Sequence, residues 1–147
     1  MAVNTKMEIG PVPEAMIDTL VRRFYGEIQQ HPDLGPIFKK AIPGDWEPHL
    51  KTMISFWSSV MNTTGRYKGQ PVPKHAALTG VTHAHFQQWL TLFENTAIEV
   101  CGSAYAAAFM VKAKRIAESL KFAMFGLPGL PNRIHPAADN QPNVGDA

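Results

Sequence analysis

The chain has one cysteine, Cys101, in 147 residues. No internal disulfide can form, and a reducing compartment suits such a chain. No apolar run approaches the roughly 18 residues that a membrane-spanning helix needs. The opening Met-Ala-Val-Asn-Thr-Lys lacks the apolar stretch of a secretory leader. We therefore expect a cytoplasmic protein with no membrane attachment. A net charge of +2 leaves no electrostatic case for nucleic acid. No stretch alternates apolar and polar residues over the length of a strand, and no internal repeat is visible. Also missing are a Ser/His/Asp arrangement, a phosphate-binding loop and a CxxC site. All twelve prolines fall outside 49–70 and 74–127, so the longest helical patterns run uninterrupted.

What is present is the composition of one soluble domain, 45% apolar and 18% charged. Glu14 to Gln30 reads as an amphipathic helix, with Met16, Ile17, Leu20, Val21, Phe24, Tyr25 and Ile28 recurring at three and four. Pro13 marks its first turn, and His31-Pro32 ends it. Residues 33–38 read as tight turns of 3₁₀ type that deliver Phe38 inward. Asp45 is a candidate N-cap for a helix from Trp46 to about Met61, whose His49, Met53, Phe56, Trp57 and Val60 share one face. Thr82 is placed to cap a helix running to Cys101 and ended by Gly102; Ser103 is placed to cap a last helix to about Phe125. From Gly126 on, Gly, Pro, Asn and Asp dominate. The pattern predicts an all-α domain over 14–125, an N-terminal extension over 1–13 and a disordered tail over 126–147.

The most unusual stretch is Pro71-Val-Pro-Lys-His75-Ala-Ala-Leu78. Pro73 suits a first helical turn, and Thr79-Gly80 closes the segment, so His75 falls on a stub of helix. The next helix carries His85, Phe86, Trp89 and Phe93 on one face. An imidazole on such a stub, facing aromatics, can be presented to something flat and apolar. His83 and His85, two apart on a helix, point about 200° from one another and do not make one metal site. His31 and His135 flank prolines and read as surface residues, and Cys101 as an inert thiol.

Phe24-Tyr25, Phe38, His49 with Trp57, and His75 with Trp89 together resemble the truncated haemoglobins, specifically their group III branch, over roughly residues 14–125. The glycine pairs of the other truncated groups are absent, as in group III. The resemblance implies a shortened globin fold in which two antiparallel helix pairs sandwich haem b (iron protoporphyrin IX). It implies His75 as the proximal iron ligand and Phe38 as the aromatic against the haem face. Tyr25, Trp89 and His49 match the polar distal residues, and Trp57 a tryptophan typical of the branch. A neutral axial imidazole needs a carbonyl to accept from its second nitrogen. An apolar slot is expected from Phe24, Phe38, Met53, Phe56, Phe86 and Phe93. Arg66, Tyr67, Lys68 and Lys74 are near in sequence as candidate propionate contacts.

Tyr25 and Trp89 can each donate to bound oxygen, at about 1 kcal/mol or somewhat more apiece. Two such bonds would slow oxygen release by roughly 10–100-fold. That argues against storage and transport and for redox chemistry on oxygen, nitric oxide or peroxide, of a peroxidase-like or nitric oxide dioxygenase-like kind. His49, Tyr25 and Trp89 would carry that chemistry, with His49 moving protons. The alternative is a ligand sensor or an electron carrier in which His49 reaches the iron. The expected partners are oxygen, nitric oxide, carbon monoxide or peroxide and an unidentified reductase, served by a monomer.

Overall fold

A computed structural model describes residues 10–67 and 80–126. Five helices follow in order: α1 (Glu14–Gln30), α2 (Leu34–Ala41), α3 (Glu47–Asn62), α4 (His83–Cys101) and α5 (Ser103–Phe125). Strands are absent among the described residues. The all-α expectation holds, and α1 has the predicted ends. The expected stub with His75, together with Lys68, Lys74 and the tail beyond Gly126, lies outside the described residues.

The period of three and four on α1 sends Ile17, Leu20, Val21, Phe24, Tyr25 and Ile28 inward. Burying each large apolar side chain contributes about 1.5–3 kcal/mol, and this face rather than intrinsic propensity holds the helix. Residues 34–41 form two turns of α-helix where 3₁₀ turns were expected. The reason is a cap that the sequence pattern concealed. His31 Nδ1 accepts from the backbone N–H of both Asp33 and Leu34, each at 3.1 Å. His31, read above as a surface residue, thus starts α2, and Pro36 falls in the first turn, where its missing N–H costs nothing. Gly35 lets α2 close on the end of α1. A Cβ there would meet the carbonyl oxygens of Ile28 and Gln29 at 3.2 Å.

α3 begins at Glu47, one residue later than expected, with Asp45 Oδ1 accepting from the Glu47 N–H at 3.1 Å. It ends at Asn62, where Thr63 turns left-handed at φ 52°. α4 and α5 are separated by Gly102 alone, at φ 86°. Ser103 is therefore the first helical residue, and the cap position belongs to Gly102, since so short a connection leaves room for no other cap. That single residue folds α4 and α5 back on each other, bringing Phe93 to Phe109 and Phe86 to Phe125.

α1 and α3 form the second antiparallel pair. Arg22 of α1 forks onto both carboxylate oxygens of Glu47 at 2.9 Å, and the far end of α3 meets the start of α1. There the Asn62 side chain receives the Val12 N–H and donates to the Val12 carbonyl, both at 2.8 Å. Asn62 and the fully buried Ser58 also donate to Glu14 Oε2, at 3.1 and 3.0 Å. The exposed Arg22 pairs guide register more than they stabilise, whereas the Asn62 clamp is partly shielded from water. Asn62→Ala strands both Val12 backbone groups. It should lower unfolding free energy by about 1–3 kcal/mol, read as a shift of the urea midpoint at unchanged slope.

Candidate functional site

Between the two helix pairs lies a cleft of about 170 Å³ whose walls come from all five helices and from Tyr67 and Val81. Tyr25 of α1 is buried at its edge. His49, half-buried on α3, stands edge-on to Tyr25 with ring centroids 5.0 Å apart. Trp46 packs behind both rings, at 6.2 Å from Tyr25 and 6.4 Å from His49. Phe38 closes the same corner, 6.0 Å from Tyr25. Phenol and imidazole thus meet at one corner of the cleft, and Trp89 of α4 also lines it. Burial pushes the Tyr25 phenol well above its ordinary ionisation range, so it stays a protonated donor.

Of the expected site residues, Tyr25, Phe38, His49, Met53, Trp57, Tyr67, Phe86 and Trp89 line the cleft, as does Phe56. Phe24 and Phe93 do not line it; they form the layer behind. Phe93 lies nearly parallel to Trp89, 5.5 Å away, and stacks on Trp57 at 5.1 Å. Phe24 meets Phe93 edge-on at 5.1 Å and Trp89 at 5.7 Å. Both phenylalanines sit on the expected helix faces, but a stacked indole lies between Phe93 and the cleft. His75 lies outside the described residues.

Arg66 turns away from the cleft and pairs with Glu14 at 3.2 Å. Tyr67 is brought to the wall because its N–H donates to Ser59 Oγ at 2.8 Å. Burial raises its phenol pKa as well. The reading from sequence missed the wall that the second half of α5 supplies, Ile116, Ala117, Leu120 and Met124. The signal was there in their spacing of three and four, but it marks any helix that faces a core.

His85 was also missed as a cleft residue. It belongs to a capping box: Thr82 Oγ1 accepts from the His85 N–H at 3.4 Å, and His85 Nδ1 receives the Thr82 N–H at 2.9 Å. A backbone N–H can only donate, so Nδ1 accepts, and the proton of the neutral ring sits on Nε2. A metal-bound imidazole needs the reverse arrangement, its second nitrogen donating outward. His85 is therefore not built as a ligand. His83 leaves the cleft altogether and stacks on Phe125 with centroids 4.3 Å apart, in line with the expected divergence of the two rings. Among the described residues, no cluster of His, Cys, Asp or Glu could hold a metal ion.

These walls fit a flat apolar group that carries a polar ligand at one end. Residues 8–124 match the family model described as bacterial-like globin. Over 126 residues the chain is 29% identical to a group 3 truncated hemoglobin of Campylobacter jejuni, covering 84% of this chain and 99% of the relative. The crystal structure of group III truncated hemoglobin from that organism superposes with a TM-score of 0.76 at 28% identity, over 83% of this chain and 98% of that one. No helix among the described residues is long and apolar enough to cross a membrane.

The buried phenol has a consequence at high pH. Its folded pKa lies above the value of about 10 for an unfolded chain. The stability it confers is therefore whole below pH ~10 and falls above it. The Cys101 thiol, pushed up to about 11 by burial, acts in the same direction. Tyr25→Phe keeps Cys101, so urea midpoints should fall less steeply for the variant than for the native chain between pH ~9 and ~11.

Proposed function

The chain belongs to the bacterial-like globin family, and on that premise we propose that it holds haem b with His75 as the axial imidazole. The observation that carries this reading is the cleft's composition, with Phe38, Met53, Phe56, Phe86 and the end of α5 as apolar walls and the polar Tyr25, His49 and Trp89 among them. When bound, the group supplies an iron able to take oxygen, nitric oxide, carbon monoxide or peroxide. The remaining chemistry belongs to the protein. Tyr25 and the Trp89 indole would serve as donors to a small ligand held in the cleft, and a donor fixed in place before binding costs no reorganisation.

His49 is the proton-handling residue of this reading. It stands in the first turns of α3 against the Tyr25 ring, where an imidazole would be able to accept a proton from a ligand in the cleft and give it back. A site that retains its ligand suits redox turnover on oxygen, nitric oxide or peroxide, with electrons from a reductase, by a monomer in the cytoplasm. The position of His49 on the cleft wall also supports a second reading, an electron carrier with two axial imidazoles. A low-spin ferric spectrum that becomes high-spin in His49→Ala would select it.

The purified chain should show a Soret band and a b-type pyridine haemochrome, and His75→Ala should lose the ferrous proximal-histidine Raman band. A normal band in that variant would refute the assignment. Tyr25→Phe and Trp89→Phe should each speed oxygen dissociation about fivefold, the equivalent of one hydrogen bond of about 1 kcal/mol. Stopped-flow rates equal to the native chain in both variants would remove the proposed donors.

A further inference from the structure

The wall that α5 and the residues about the start of α4 give the cleft is apolar: Val81, Phe86, Ile116, Ala117, Leu120 and Met124. His85 is the exception on that wall. Its ring is half-buried, and its Nδ1 faces back to the start of α4, 2.9 Å from the Thr82 nitrogen and 3.2 Å from Thr82 Oγ1. These contacts fix both the rotamer and the tautomer, leaving Nε2–H at the far edge of the ring.

We propose that His85 is a binding residue of the cleft, its Nε2–H donating to an anionic oxygen of the bound group. On the haem reading, on which this inference rests, that oxygen belongs to a carboxylate of the macrocycle. The donor is held by the helix cap before anything binds, so little rotamer freedom is lost on binding. A carboxylate at this place also lies near the positive end of the α4 dipole. Arg66, the residue before Tyr67, is engaged by Glu14 and is not among the described residues that line the cleft. The assignment gives His85 two tasks through its two nitrogens, starting α4 with one and holding the ligand with the other.

Replacing His85 by alanine would confuse the two tasks, because it removes the cap as well. Glutamate at the same position is the usual partner in a capping box. His85→Glu therefore keeps the helix start while exchanging a donor for an anion. The measurement is haem loss from the holoprotein to excess apomyoglobin, made with native haem and with haem esterified at both carboxylates. His85→Glu should lose native haem about tenfold faster than the unsubstituted protein, the scale of a hydrogen bond to a charged group, and should lose the ester at the unsubstituted rate.

Equal rates with native haem would overturn the proposal. Equal acceleration with both forms would overturn it too, showing that His85 acts only through the helix. An unsubstituted chain that takes up no haem would refute the haem reading itself and this inference with it.

Discussion

Phe93 is the residue on which the two halves of the molecule agree. Its ring lies between the indoles of Trp57 and Trp89, with Phe24 and Phe109 meeting it edge-on. Four helices contribute to this one contact: α1, α3, α4 and α5. Each aromatic pair adds about 0.5–1.5 kcal/mol beyond the area it buries. The geometric effect matters more here than the energy. Because the rings are stacked or perpendicular, sliding one helix pair over the other breaks several of these contacts together. Trp57 and Trp89 also line the cleft, so this layer backs part of its wall.

Much of this was legible in the chain because the residues concerned obey helical spacing over long spans. α1 and α4 could be bounded to the residue, the first by Pro13 and His31-Pro32, the second by Thr82 and Gly102. The faces carrying Tyr25, His49, Met53, Trp57 and Trp89 were legible for the same reason. What stayed hidden was local chemistry that crosses helix boundaries. The two histidines that cap α4 and α2, His85 and His31, do so through Nδ1, a role usually taken by Ser, Thr, Asp or Glu. The exclusion of Phe93 from the cleft was hidden too, because periodicity assigns a residue to a face and not to a depth on it.

The cleft is an arrangement of unequal walls. Tyr25, His49 and Trp89 are each buttressed by another ring. Where α5 lines the cleft, the surface is aliphatic and thioether, soft enough to fit the edge of a large planar group.

The clamp between Asn62 and Val12 joins positions 50 residues apart, and this ties the mouth of the cleft to the beginning of the chain. Asn62 is the last residue of α3. The segment that follows it folds back through Thr64 onto Ser58 and through Tyr67 onto Ser59, which sets Tyr67 on the cleft wall. Proteolytic trimming back to Pro13 would remove none of the described residues that line the cleft. It would nonetheless take away the backbone of Val12 that Asn62 grips and loosen the seat of Tyr67. For anyone shortening this chain for expression, Val12 belongs to the part that must stay.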